Sequence, residues 1–198
     1  MRRGTRTAVL LGVVVVAAAF VGIGLANLLG GDRRPPAGPG ISQASQPAAG
    51  LSERLPATSR GPLPEVTLTG FAGRPDVALT SYRGRPLVVN LWATWCAPCV
   101  EEMPAFQQVA AAARGKVTFL GVNVADDPDA AMAFVAKLGI TYDLAADPRQ
   151  DFFHRIAAYG MPTTLLVDPQ GTIVYRRTGP LDAPELRGLL AEHLSVEV

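Results

Sequence analysis

Hydrophobic positions fall into two regimes along this chain. Near the start, Ala8 to Gly31 is an unbroken stretch without a charged residue. From Gly61 onward, short apolar runs alternate with helical patterns. Val66-Thr67-Leu68 and Val77-Ala78-Leu79 predict short edge strands around a turn from Gly70 to Asp76. Leu87 to Trp92 is mostly apolar rather than alternating, the pattern of a strand covered on both faces. A helix is expected from about Pro98 to Arg114, ending near Gly115, with a kink where Pro104 removes a backbone donor.

Val117 to Val124 predicts a second central strand, and Asp127-Pro128 predicts the N-cap and first residue of a helix to Leu138. A short strand around Tyr142 and a helix from about Gln150 to Ala158 follow. Thr163–Val167 and Thr172–Tyr175 flank Asp168-Pro169-Gln170-Gly171, the signature of a hairpin turn, and a last helix runs from Ala183 or Pro184 to Leu194. Strand–helix–strand units followed by a hairpin and a helix predict an α/β fold, a mixed central sheet flanked by helices.

Composition divides the chain further. Ala8 to Gly31 would span about 36 Å as a helix, enough for a hydrocarbon core of about 30 Å. Arg2, Arg3 and Arg6 precede it, which places the N-terminus in the cytoplasm and all that follows outside. Residues 1–31 are therefore expected to be a transmembrane anchor, in preference to a cleaved signal peptide with Gly24-Leu25-Ala26 as a loose cleavage site. No cysteine lies near the segment to carry a lipid. Residues 32–60 are rich in Pro, Gly, Ala, Ser and Gln and predict a flexible linker, leaving 61–198 for one domain. A net charge of +1, with no basic stripe, implies no nucleic-acid partner.

The chain has two cysteines, both in Trp95-Cys96-Ala97-Pro98-Cys99, where the apolar strand meets the first helix. A four-thiolate metal site and a larger disulfide framework are thereby excluded. A thiolate at a helix N-terminus is favoured by the helix dipole and by unpaired N–H groups. Cys96 holds that position and is expected to attack, with Cys99 one turn later resolving the mixed disulfide. A purely structural bridge would more naturally join distant segments. His154 and His193 have no neighbouring ligand cluster and read as ordinary helix residues, and no metal is expected. Asp126-Asp127-Pro128-Asp129 reads as helix capping rather than a cation site.

The Trp95–Cys99 block after an apolar strand, Pro104 five residues beyond it, and Met161-Pro162-Thr163 before a strand together resemble the thioredoxin superfamily. Leu87 to Cys96, Glu101-Glu102-Met103-Pro104, Pro162-Thr163-Thr164 and the extra strand–helix material between Asp127 and Asp147 resemble its TlpA/ResA type of membrane-anchored thiol-disulfide oxidoreductases. The resemblance implies a thioredoxin-like fold with no cofactor beyond a redox-active Cys96–Cys99 disulfide. It implies a cis Pro162 against that disulfide, with the Met161 backbone pairing with an extended substrate. Trp95 would cover one side of the site, and Ala97 and Pro98 would shape the turn.

Thioredoxins proper carry a buried Asp where this chain has Asn90, so that base is missing; Glu102 matches the acidic residue of the TlpA/ResA type and would serve Cys99. Glu101 reads as solvated. By family analogy the partners are exported proteins bearing disulfides, cytochrome c cysteines foremost, and a membrane protein that donates electrons. The expected direction is reduction. The alternatives are a disulfide-forming oxidase or isomerase, a copper-binding thiol chaperone or a peroxidase. The copper reading lacks a third ligand, and the peroxidase reading lacks the Thr/Ser and Arg arrangement around Cys96.

Overall fold

Residues 61–198 are described by the computed structural model, and the anchor and linker expected over residues 1–60 lie outside the described residues. Among the described residues no helix is long and apolar enough to cross a membrane. The strands are β1 (Gly61–Pro62), β2 (Thr67–Gly70), β3 (Val77–Ala78), β4 (Leu87–Trp92), β5 (Thr118–Val124), β6 (Asp143–Asp147), β7 (Thr163–Val167) and β8 (Thr172–Thr178). The helices are α1 (Ala97–Ala112), α2 (Pro128–Leu138), α3 (Asp151–Arg155) and α4 (Ala183–Leu194). The strands join in the order β1-β8-β7-β4-β5-β6-β2-β3. β4, β5 and β6 run parallel; β7 pairs antiparallel with β4, and β8 antiparallel with β7. This is a thioredoxin-like mixed sheet.

All six residues of β4 are buried, as its apolar run requires of a strand covered on both faces. Val89, Leu91, Leu120, Val122 and Leu165 point into one core layer, closed by Phe152 and Ile156. Their neighbours Val88, Phe119 and Leu166 point to the other side, against Phe106 and Val109 of α1 and Leu186 and Leu190 of α4. A third cluster at the end of β4 joins Trp92, Cys96, Cys99 and Met103 to Phe71, Ala131 and Leu144. In the β4–β7 register Leu91 lies opposite Thr163, so the C-terminal ends of β4 and β5 and the start of β7 meet at one edge.

Element ends depart from the sequence expectations where side chains or backbone turns take over. α1 is one 16-residue helix with Pro104 inside it, and Met103 and Phe106 beside that proline are buried. The expected strand at Tyr142 begins one residue later, at Asp143. The expected helix over 150–158 is reduced to Asp151–Arg155. The Asp147 carboxylate accepts from the N–H groups of Phe152 and Phe153 and fixes its start, and Ala157 turns into the left-handed region at φ 52° just beyond its end. β8 runs three residues past Tyr175, held by pairing with β7.

Gly70 ends β2 immediately before Phe71, whose ring lies 6.3 Å from that of Trp92. A Cβ on Gly70 would stand 1.7 Å from the Arg74 carbonyl oxygen. Gly70→Ala is expected to cost roughly 1–3 kcal/mol through the forced backbone shift. The measurement is the urea midpoint at constant slope; an unchanged midpoint would contradict this close approach.

Candidate active site

The chain leaves the apolar strand β4 at Trp92, turns through Ala93 to Trp95 and enters α1 with Cys96 as N-cap. The Cys96 N–H donates to the Ala93 carbonyl at 3.2 Å, and its own carbonyl accepts the Val100 N–H at 3.1 Å. No side-chain cap closes this helix terminus, which leaves the first turn to whatever sits at the Cys96 sulfur. Cys96 and Cys99 are joined in a disulfide. Cys96 keeps 6% of its surface exposed and Cys99 none. An incoming sulfur can therefore reach Cys96 and not Cys99.

Beside the disulfide lies a groove of about 370 Å³. It brings together Trp95, Cys96, Ala97, Pro98 and Met161 of the expected residues. Val124, Gln150, Phe153 and Gly160 complete its lining; sequence reasoning missed these four. Only Phe153 had a usable signal, since apolar residues on a helix after a central strand often face the strand ends. Trp95 is 62% exposed, with its indole N–H donating to the Ala125 carbonyl at 3.1 Å. The Met161–Pro162 bond is cis, and the Pro162 carbonyl accepts the Gly179 N–H at 2.9 Å.

Glu102 sits one turn beyond Cys99 on α1 and is buried, away from the groove lining. Its Oε1 accepts from Asn90 Nδ2 at 2.8 Å and its Oε2 from the Leu181 N–H at 3.0 Å. Burial pushes its carboxyl up to about 7, against the opposing pull of those two bonds and of the Arg177 charge. Asn90 is equally buried, and its Oδ1 has no partner. The amide in mid-strand thus faces the carboxyl from β4 across to α1. Glu101, its neighbour in sequence, is exposed.

His154 rests edge-on against Phe153, and His193 stacks on Tyr175 at 4.6 Å, on separate helices. Among the described residues no group of three or more His, Cys, Asp or Glu could hold a metal ion.

The sequence pattern of the family described as Redoxin matches residues 58–190, more than half of the chain. The chain belongs to the Redoxin family. One relative is the thiol:disulfide interchange protein HelX of Rhodobacter capsulatus, 39% identical over 95 residues that cover 48% of this chain and 52% of HelX. The thiol-disulfide oxidoreductase ResA of Bacillus anthracis is 30% identical over 103 residues, 52% of this chain and 60% of ResA. A solved structure, a secreted Mycobacterium tuberculosis disulfide oxidoreductase homologous to E. coli DsbE, superposes with a TM-score of 0.58. It is 29% identical, and the match covers 65% of this chain and 96% of that one. The chain spans about half the length of the curated relatives it matches first. The match to ResA, at 103 residues, is longer than the active-site block alone.

Proposed function

We propose that this protein is a thiol-disulfide oxidoreductase that reduces disulfides in exported proteins by cycling Cys96 and Cys99. The observation that carries it is the pairing of Cys96, which lines a groove at an uncapped helix N-terminus and keeps a sliver of accessible surface, with a fully buried Cys99. The Cys96 thiolate attacks a substrate disulfide; the Cys96–substrate bond forms as the substrate S–S bond breaks and one substrate sulfur leaves as thiolate. Cys99 then attacks Cys96, the internal disulfide re-forms and the second substrate sulfur is released. Two electrons pass from the cysteine pair to the substrate. Glu102 takes the Cys99 proton, a role its raised proton affinity suits near neutral pH. The cis Met161–Pro162 segment and Trp95 hold an extended substrate strand along the groove.

Reduction is favoured over oxidation by what surrounds Cys96. The groove lining contains no Lys, Arg or His, and Pro98 brings no N–H to the helix terminus. Strong oxidants depend on a heavily stabilised thiolate, and beyond the helix N-terminus the groove lining adds no positive charge to stabilise one. In this reading residues 1–31 anchor the chain in the membrane with the domain outside, a membrane thiol protein re-reduces the pair, and cytochrome c cysteines are the leading substrate.

The test is the reduction potential of the pair, by equilibration against thiol-disulfide buffers. A value near that of thioredoxin, about −270 mV, is expected. A value near about −120 mV, as in DsbA, would reverse the assignment to a disulfide-forming oxidase.

A further inference from the structure

The β4–α1 turn that carries Cys96 makes one hydrogen bond within itself, Cys96 N–H to Ala93 O. Its residues Thr94 and Trp95 are tied to the turn after β5. The Thr94 N–H donates to Asp126 Oδ2 at 2.7 Å, and Thr94 Oγ1 donates to Asp126 Oδ1 at 2.6 Å. The Trp95 indole N–H reaches the carbonyl of Ala125, the residue before Asp126. Ala125 adopts φ 46°, a left-handed conformation costly for a residue with a Cβ.

Asp126 is itself fixed. Asn123 Nδ2 donates to its Oδ2 at 2.8 Å, and the Asp127 N–H donates to its Oδ1 at 2.9 Å. Asn123 is buried at the end of β5, so the carboxylate is braced against the central sheet. Four bonds occupy its two oxygens, and the capping of α2 falls to Asp127 alone, which accepts from the Ala130 N–H at 2.8 Å. The two adjacent acids, alike in sequence, divide their work.

We infer that Asp126 is the positioning residue of the nucleophile turn: through Thr94, with the Ala125 carbonyl on Trp95, it sets the Cys96 sulfur and the Trp95 ring against the groove. This rests on the exchange reading above and adds the means by which the attack geometry is held. Charge-assisted bonds of this kind are roughly twice as strong as neutral ones. Although burial opposes ionisation, the bonds from Thr94, Asn123 and Asp127 together outweigh it and hold the Asp126 carboxyl below its ordinary value. The clamp therefore stays charged at neutral pH.

The experiment compares Asp126→Ala, Thr94→Ala, the double variant and Asp127→Ala in the full chain. Two quantities are read: the second-order rate constant for reduction of a model peptide disulfide, and the deuterium exchange of the Thr94 amide. Asp126→Ala is expected to lose Thr94 amide protection and to slow reduction about tenfold, within the range that misplacing a reacting group produces. The double variant should be no slower than Asp126→Ala alone, since both act through one contact. Asp127→Ala should lower stability by loss of the cap while keeping the rate and the Thr94 protection. An unaltered rate in Asp126→Ala, or an equal fall in Asp127→Ala, would overturn the clamp. The wild-type rate tests the exchange reading itself: an inactive wild type overturns both, whereas an active one with an unaffected Asp126→Ala overturns the clamp alone.

Discussion

Cys96→Ser is expected to abolish disulfide reduction, lowering the rate by on the order of a thousandfold or more, while Cys99→Ser leaves a chain that accumulates mixed disulfides. The asymmetry follows from where the two sulfurs lie. Cys96 opens onto the groove at the N-terminus of α1, and Cys99 sits beneath it with no exposed surface. A serine at 96 leaves no sulfur that a substrate can reach. A serine at 99 leaves the attacking thiol in place and removes the group that would release it, so the covalent intermediate persists. Turnover of a peptide disulfide reads the first effect, and mass spectrometry under non-reducing conditions reads the second as an adduct on Cys96. Full turnover in Cys96→Ser would remove the mechanism, and adducts on Cys99 instead of Cys96 would invert the roles.

Much of this geometry was legible in the residues because the relevant signals are local. An apolar run with six buried positions, a helix start and a cysteine pair are contiguous, so β4, α1 and the placement of Cys96 at their junction could be written down from Leu87 to Cys99. Asp127-Pro128 likewise opens α2 where capping chemistry puts it, and the helix ends at Leu138 as expected. What escaped was set by contacts between distant segments. The Thr94–Asp126 bonds span 32 positions, and nothing in Ala125-Asp126-Asp127-Pro128 distinguishes the acid that caps a helix from the one that reaches across the sheet edge. The role of Asn90 was half visible: the resemblance to thioredoxins implied that their aspartate is missing there, while its bond to Glu102, 12 positions on, depended on how α1 lies over β4. The shortness of α3 depended on the side chain of Asp147 and on a left-handed residue at Ala157, neither of which apolar periodicity reports.

The second large effect is a fall in stability of the oxidised protein as pH rises, traceable to one carboxyl. Glu102 has an ordinary value of 4.5 and is pushed up to about 7 in the fold, chiefly by burial. Between these values the folded chain holds a proton that the unfolded chain has released, so stability decreases with increasing pH. The contribution is fully present below about 4.5 and is lost as pH climbs through about 7. The shift corresponds to about 3 kcal/mol across that window. The charged state is tolerated because Asn90 and the Leu181 N–H both donate to it. The neutral acid has its own accommodation: Asn90 Oδ1 lacks a partner, and a half-turn of that amide would present it as acceptor to a protonated Glu102. Glu102→Gln removes the titration, and its unfolding free energy, measured in urea from pH 4 to 8, should be flat where the wild type declines. Its absolute stability is expected to match the wild type's at acid pH, because the neutral acid and the amide each offer one oxygen to the Leu181 N–H and one donor to the turned Asn90 amide. The same substitution should flatten the alkaline rise of the exchange rate if Glu102 receives the Cys99 proton. Parallel stability profiles in the two proteins would show that the carboxyl does not titrate in this range, and Glu102 could then not act as the base near neutral pH.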